Sequence, residues 1–351
     1  MHAVDCLELS EKVLNRHYAI HPLDHYTGVV SLHAAARLAV ISGNPAILSD
    51  VKEKLQPFLN EECFNKNQHC SYLNYRCGGN ATAFLLAQGL LPEAADNVRR
   101  YAEELIHEAR RDPDSGIYSM KNKTDKHIWI DSVFAVTPFL LFAGLTLNED
   151  IYIEEAFQQA KKMLDIFRDP EAHGIMHQSR DFAGVGKFSE DHWSRGNGWG
   201  LYGSTELVNY LPDNDPRRPE AEKLFRDHLK GCLHYQDDQG LWRQEITDHS
   251  SYVETSGSGL ILYALGVGLE KKVIEAEHMN DLIRGLRGYL AYIAHDGSVF
   301  HCCRGCLCPG DGSIEAYKNV PWIMNDPHAF GPAALAFAQA CKLGIKSIDP
   351  Q

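Results

Sequence analysis

The sequence predicts an all-α fold, an (α/α)6 barrel in which six helical hairpins close into one toroid over residues 1–351. Three observations predict it. The apolar periodicity is helical almost throughout, two kinds of helix alternate strictly, and the second kind recurs at intervals of 52 to 72 residues. Length alone would also allow two domains, but a degenerate repeat of one hairpin favours a single one.

The first kind of helix has one polar side. Apolar residues recur at i, i+3 and i+4 while Lys, Arg, Glu or Asp occupy the opposite face, as expected of helices that cover a core. In 149–168, for example, Ile153, Phe157 and Leu164 share a stripe. The six segments of this kind are 5–18, 46–58, 93–111, 149–168, 217–236 and 274–293.

The second kind is rich in Ala, Gly, Leu and Phe and nearly free of charge, so these helices must be buried on all sides. They alternate with the first kind, which predicts an inner and an outer layer. An open solenoid of hairpins is the alternative, but it would not require inner helices buried on both sides. Strand patterns are confined to 240–246 and 297–301. The buried segments are 27–42, 79–91, 131–145, 195–210, 256–269 and 328–343.

Composition excludes several classes of function. The net charge is 34 − 47 = −13, and no basic run occurs, which argues against nucleic acid and anionic membranes as partners. The longest apolar stretch, 133–145, is too short to span a bilayer. The first residues do not resemble a secretory signal, so the ten cysteines are expected to be free thiols in the cytoplasm. A secreted form whose signal has been removed stays open, as does the choice between monomer and homodimer.

Unusual residues precede each buried helix, and a closed ring would gather them on one rim. Helix N-termini there offer free amides and partial positive charge. Helix capping explains Thr255 or Ser256, Asp326 and part of the role of Asp131. It does not explain the aromatic, arginine and histidine residues at the same ends, such as those in 24–26, 74–76, 192–199 and 325–328.

The motif WSRGNGW is the strongest signal for a binding site. Trp193 and Trp199 offer faces for sugar rings, and the Arg195 fork matches a carboxylate, although a buried arginine that staples the loop is the alternative. Asp131 follows Trp129 and opens a nearly uncharged helix. A carboxyl beside an aromatic wall has a raised pKa and suits a general acid, whereas a plain N-cap is the structural alternative.

Weaker candidates are His177, in a loop shortly before WSRGNGW, and Lys121, on the loop leading to Asp131. The cysteines of 302–308 lack the paired knuckles of a zinc site, and 183–187 lacks the spacing of a phosphate-binding loop. We therefore expect neither a metal nor a cofactor, and a cysteine–metal protein is the least favoured reading.

Four segments, WIDSVFAVTPFL, HWSRGNGWG, YVETSGSGLILYAL and NDPHAFGPAALA, resemble the unsaturated rhamnogalacturonyl hydrolases of glycoside hydrolase family 105 and the related unsaturated glucuronyl hydrolases of family 88. The likeness runs from about residue 20 to 343 and implies an (α/α)6 barrel. It also implies that the enzyme releases a 4,5-unsaturated uronate from short lyase-generated oligosaccharides, such as those from pectin, by hydrating the C4=C5 double bond.

By this resemblance Asp131 is the acid/base, and His177 and Arg195 face the uronate. Tyr26, Trp129, Trp193 and Trp199 then line the sugar cleft. The chain departs from the family in 71–82, where relatives usually carry another aspartate and where Arg76 or Asn74 is expected to take over. Two alternatives remain: a conventional inverting glycosidase pairing Asp131 with Glu254 or Asp326, and a non-catalytic carbohydrate-binding toroid.

Overall fold

The computed structural model describes residues 3–63, 72–119 and 126–350. Within them, twelve helices have nine residues or more, and they correspond one to one with the twelve predicted segments. A thirteenth, α12, has one turn. The helices are α1 (Cys6–Ile20), α2 (Tyr26–Ser42), α3 (Pro45–Leu59), α4 (Gly79–Ala87), α5 (Ala95–Glu108), α6 (Ser132–Leu147), α7 (Asp150–Phe167), α8 (Ser194–Tyr210), α9 (Arg218–His234), α10 (Thr255–Glu270), α11 (Met279–Leu290), α12 (Ile314–Lys318) and α13 (Phe330–Lys342).

The six helices that are nearly free of charge form a closed inner ring. Each of α2, α4, α6, α8, α10 and α13 packs against the next, and α13 packs back against α2. This closure confirms the (α/α)6 barrel and excludes the open solenoid. Side chains of the inner helices are buried around their whole circumference, as in α6, where every residue from Ser132 to Gly144 is buried.

The outer helices bury one stripe each against this ring. On α7 the predicted residues Ile153, Phe157 and Leu164 are buried and pack in the core beneath α6. Glycines let the inner helices approach closely. A Cβ on Gly257 of α10 would lie only 2.5 Å from the backbone carbon of Ser194 at the start of α8.

A buried charged pair crosses the centre of the ring. Arg37 of α2 donates to the Glu206 carboxylate on α8 at 3.1 Å, although α2 and α8 lie on opposite sides. The Arg37 guanidinium also stacks over the Tyr263 ring of α10, 5.0 Å from its centroid, and the Tyr263 hydroxyl donates to Glu206. These contacts satisfy charges that would otherwise be costly inside an apolar core.

Extended structure among the described residues is limited to pairs of two-residue antiparallel strands and isolated bridges. β1 (Val4–Asp5) pairs with β6 (Ser347–Ile348), β2 (Ile128–Trp129) with β3 (Ser179–Arg180), and β4 (Cys302–Cys303) with β5 (Trp322–Ile323). The predicted strands at 240–246 and 297–301 contribute only single bridges. These segments are loops in which most residues are buried, so the alternation of apolar and polar residues does not reflect paired strands. No helix of the described part is both long and apolar enough to cross a membrane.

Candidate functional site

A cavity of about 320 Å³ opens at the N-terminal ends of α2 and α6. Five aromatic rings and one carboxyl line it together with a glycine, a cysteine and a leucine from the loop that follows β4. A larger cavity of about 510 Å³, beside α11, has no carboxylate among its described lining residues and so does not offer the same chemistry. The residues lining the smaller cavity are Tyr26, Tyr72, Tyr75, Trp129, Asp131, Phe134, Gly305, Cys306 and Leu307.

Asp131 is placed by the short ladder between β2 and β3. The Ile130 amide donates to the Gln178 carbonyl at 2.8 Å, and α6 begins immediately after Asp131. The Asp131 carboxyl makes no hydrogen bond to the first turn of that helix, so it does not act as the N-cap. Its Oδ2 is buried and has no hydrogen-bond partner within the described residues.

Burial raises the pKa of Asp131 to about 7. The positive charge of Arg195 and a hydrogen bond with Gln178 lower the pKa of this carboxyl, but by less than the loss of solvation raises it. A carboxyl that titrates near neutrality can give a proton and take one back at the same pH. The structure thus supplies the physical condition for acid–base chemistry at this position.

Arg195 lies behind the wall of the cavity. Its guanidinium is fully buried and donates to the Ser256 hydroxyl at 3.0 Å and to the carbonyls of Cys303 and Arg304 at 2.7 and 3.2 Å. The Glu254 carboxylate lies 3.7 Å away. The arginine therefore holds the loop after β4 in place, as in the alternative in which a buried arginine staples the loop. Its positive charge lowers the pKa of Asp131 without direct contact.

The three predicted tryptophans occupy different positions. Trp129 lines the cavity and lies 5.8 Å from the ring of Tyr72. Trp199 is buried and stacks on Phe134 with ring centroids 3.9 Å apart, so it supports a cavity residue from behind. Trp193 is buried beneath the Arg195 guanidinium, which lies 4.2 Å from its ring centroid.

Tyr26 belongs to a hydrogen-bonded chain of three side chains that reaches the cavity. Its hydroxyl contacts His328 Nε2, and His328 Nδ1 contacts the Asp326 carboxylate. Burial, assisted by the charge of Arg195, lowers the pKa of His328 to about 4, so the ring is neutral at pH 7. With Nδ1–H donating to Asp326, Nε2 accepts from Tyr26, whose oxygen keeps its lone pairs for a ligand.

This chain was missed as a unit by the sequence analysis, which expected Asp326 to be a helix cap. The structure gives α13 no side-chain cap, and Asp326 accepts instead from the His328 amide and ring. The signal was present in the NDPH segment before the last buried helix. At α10, the cap is neither Thr255 nor Ser256 but Glu254, which accepts from the amides of Ser256 and Gly257.

Tyr72 was also missed, and Tyr75 was noted only as part of 74–76 and not as a site residue. A 3-10 helix, Leu73–Cys77, precedes α4. Tyr72 is the residue just before this helix, and Tyr75 lies within it. Both rings line the cavity, and the buried Tyr75 hydroxyl has no hydrogen-bond partner within the described chain. Asn74 instead donates to the Ala135 carbonyl at 2.8 Å and ties this turn to α6.

The remaining candidates lie outside the cavity or outside the described residues. Arg76 is half-buried, and its charge acts on Tyr101, away from the cavity. Lys121 is not among the described residues. His177 points to Asp169 and His192 instead of to Asp131. The reason is local, since the neighbouring Gln178 side chain faces the cavity loop and successive side chains of an extended segment point to opposite sides.

Nine of the ten cysteines are described, and eight of these are free thiols, namely Cys6, Cys77, Cys232, Cys302, Cys303, Cys306, Cys308 and Cys341. Cys306 lines the cavity, and Cys302 and Cys303 are buried beside Arg195. Within the described residues, these thiols do not converge into a group of three metal-ligand atoms. The loop after β4 therefore acts as a cover of small side chains over the cavity.

Comparison with known proteins identifies relatives of this chain and agrees with the fold. An unsaturated rhamnogalacturonyl hydrolase of Bacillus subtilis is 24% identical over 225 residues, which cover 63% of each chain. An unsaturated 3S-rhamnoglycuronyl hydrolase of Formosa agariphila is 27% identical over 214 residues, covering 57% of this chain and 56% of that protein. The matches thus span less than two thirds of either relative.

A glycoside hydrolase from family 105 of C. acetobutylicum has the same fold, with a TM-score of 0.81 at 18% identity. The superposition covers 95% of this chain and 98% of that one. The sequence model of Glycosyl Hydrolase Family 88 matches residues 8–343, nearly the whole chain. The chain therefore belongs to Glycosyl Hydrolase Family 88.

Proposed function

We propose that this protein releases a 4,5-unsaturated uronic acid from the non-reducing end of short lyase-generated oligosaccharides by hydrating the C4=C5 double bond. The observation that carries the proposal is a single carboxyl, Asp131, whose pKa is raised to about 7 inside an aromatic-walled cavity. Hydration requires one group that first gives a proton and then takes one.

The proposed chemistry balances with water as the only co-reactant. The Asp131 acid gives its proton to C4, and the π electrons of the double bond form the new C–H bond. Positive charge then develops at C5, where a water oxygen adds and its proton returns to the Asp131 carboxylate. The resulting hemiketal opens, and the sugar attached at C1 leaves.

The neighbours of Asp131 suit this sequence of steps. Trp129 and the tyrosine rings offer flat surfaces for a sugar ring and keep the carboxyl poorly solvated. The Tyr26 oxygen, whose proton is directed to His328, is available to accept a hydrogen bond from the attacking water. Arg195 contributes positive charge from behind the wall, which favours an anionic uronate without a direct fork to its carboxylate.

A conventional inverting glycosidase is less well supported. Such an enzyme needs a second carboxylate about 6.5–9.5 Å from the first, with room for water between them. No second carboxylate lines the cavity among the described residues. Both oxygens of Glu254 accept hydrogen bonds from neighbouring backbone amides, and Asp326 is occupied by His328. A non-catalytic binding toroid gives no reason for a carboxyl kept near neutral pKa.

Three synthetic disaccharides test the mechanism. The first carries the unsaturated uronate on an oxygen linkage, the second the same uronate on a sulfur linkage, and the third a saturated uronate. Because hydration does not attack the glycosidic bond, we expect the ultraviolet band to disappear for the first two and no cleavage of the third. Cleavage of the saturated compound, or resistance of the sulfur-linked one, would overturn the proposal.

We also propose a rhamnogalacturonan-type substrate, because the names of both relatives contain a rhamnosyl component. A panel of unsaturated disaccharides that differ only in the second sugar tests this choice. We further propose that residues 1–351 act as one catalytic domain, supported by the contact of α13 with α2, without metal or cofactor in the reaction. The eight free thiols named above support a reducing compartment such as the cytoplasm.

A further inference from the structure

We propose that Asp169, His177 and His192 form a binding site for one divalent transition-metal ion of the Zn²⁺ class, separate from the cavity that contains Asp131. One ligand atom from each of the three side chains lies within 4.8 Å of the others. His192 Nε2 lies 3.0 Å and His177 Nε2 lies 3.7 Å from Asp169 Oδ2. Two imidazoles and a carboxylate are a ligand set that zinc accepts.

The outer ring nitrogen of His177 is hydrogen-bonded as it is in metal-bound histidines, and that of His192 lies near a carboxylate. His177 Nδ1 donates to the Asp191 carbonyl at 3.1 Å, which fixes the tautomer that leaves the Nε2 lone pair directed at the Asp169 carboxylate. His192 Nδ1 is buried, lacks a hydrogen-bond partner within the described chain, and lies 3.7 Å from the Glu245 carboxylate. Carbonyl or carboxylate acceptors behind metal-bound histidines are the usual second layer.

An ion resolves a conflict between acceptors in this cluster. A neutral His177 directs a lone pair at Asp169, and a neutral His192 faces one carboxylate with each of its nitrogens but has only one proton to donate. A cation bound by the two Nε2 atoms and Asp169 would satisfy the lone pairs and leave Nδ1–H of His192 for Glu245. The competing explanation is a doubly protonated His192 held between Asp169 and Glu245.

The backbone holds the three ligands in place, and the cluster is open on one side. The His177 amide donates to the Phe167 carbonyl at 3.0 Å, and the His192 amide donates to Glu245 at 2.9 Å. The side chains of His177 and Asp169 are 22% and 19% exposed, whereas that of His192 is 8% exposed. Three protein ligands with an accessible fourth position leave room for water on the ion.

The bound ion would stabilise the structure and would not contact the substrate. His177 precedes Gln178, whose side chain points the other way, donates to the Cys306 carbonyl at 3.3 Å and accepts from the Cys308 amide at 3.4 Å. An ion on His177 would therefore brace the segment that supports the loop over the cavity. This role is independent of the proposed hydrolase activity.

Metal binding can be measured without an activity assay. Protein stripped with a chelator is titrated with CoCl2, whose visible absorption reports low-coordinate binding, and with ZnCl2 by calorimetry. We expect one equivalent to bind and His177→Gln and His192→Gln each to weaken binding at least ~10-fold, about 1.4 kcal/mol. The control is His173→Gln, in the exposed pair in which His173 and His234 stack at 3.6 Å.

The outcomes separate the two explanations. Binding of one equivalent that is lost in both site variants and kept in the control supports the metal site. Absence of stoichiometric binding, or equal loss in the His173 variant, overturns it and leaves the protonated-histidine explanation. If the more buried His192 variant does not fold, His177→Gln alone decides the question, because its circular dichroism can be compared directly with that of the parent protein.

Discussion

The raised pKa of Asp131 makes a quantitative prediction about the dependence of activity on pH. A carboxyl with a pKa of about 7 is half protonated at pH 7, whereas one at the ordinary value of 3.8 would be protonated only about once in 1,600 molecules. Burial in the cavity thus increases the amount of acid available at neutrality by ~800-fold. Activity that needs the acid form should therefore persist to pH 7 and fall about tenfold per unit above it.

The assay is kcat/KM for an unsaturated disaccharide between pH 5 and pH 9, followed by loss of the ultraviolet band of the uronate. Asp131→Asn should reduce kcat by about 10²–10⁴-fold at pH 6, because the amide has no proton to give. Asp165→Asn, an exposed carboxylate paired with Lys161 on α7, is the matched control and should leave the profile unchanged. A decline that is complete by pH 6, or an Asp131→Asn enzyme within tenfold of the parent, would refute the reasoning.

Protein stability gives an independent test of the same carboxyl. Its folded pKa lies above the unfolded value, so between about pH 4 and pH 7 the folded state binds more protons than the unfolded state. The free energy of unfolding therefore loses up to ~1.4 kcal/mol per pH unit in this range through Asp131 alone. Asp131→Asn lacks this loss, and its advantage over the parent in urea unfolding should grow from pH 4 to pH 7 and then level off. A constant difference would mean that the carboxyl is not perturbed.

Further predictions concern two tryptophans, Arg195 and the buried charged pair at the centre of the ring. Trp129→Ala should lower kcat/KM about tenfold through lost ring stacking, measured in the disaccharide assay. Trp199→Ala should instead lower the free energy of unfolding by ~3–5 kcal/mol, measured by urea titration. Arg195→Met should move the alkaline decline of kcat/KM to higher pH, since it removes a charge that lowers the pKa of Asp131, and Arg195→Lys should not. Arg37→Met leaves the buried Glu206 carboxylate without its ion-pair partner, so the free energy of unfolding in urea should fall by ~3–5 kcal/mol. KM should stay unchanged.

The fold could be predicted from the sequence because the distribution of apolar and charged residues around each helix shows which of its faces are buried. Helices that are nearly free of charge and apolar on every face are expected to be inner helices, and those with one polar face are expected to be outer ones. The segment predicted at 195–210 forms α8 from Ser194 to Tyr210, and that at 256–269 forms α10 from Thr255 to Glu270. The short strands could not be predicted, because two-residue ladders have no period to detect.

The site could be predicted only where sequence position fixes side-chain direction. Trp129 and Asp131 lie just before the first residue of an inner helix, α6, and the closed ring places the N-terminal end of that helix at the cavity. Within α8, every face is buried, so nothing local indicates that Arg195 turns to the loop and Trp199 to the core. For His177, a register difference of one residue in an extended segment decides between the cavity and the opposite side.

The position of Arg195 explains how the proposed site for an anionic sugar can keep Asp131, the one carboxyl among the described lining residues, protonated. A guanidinium in contact with Asp131 would lower the pKa of that carboxyl and remove the acid at neutral pH. Here the guanidinium is bound by loop carbonyls and lies 3.7 Å from the Glu254 carboxylate, and its charge lowers the pKa of Asp131 by less than burial raises it. An entering uronate brings a further negative charge close to Asp131 and so favours the protonated form that the first step needs. The buried arginine and the acid are therefore parts of one electrostatic arrangement, in which the separation of the two groups matters as much as their presence.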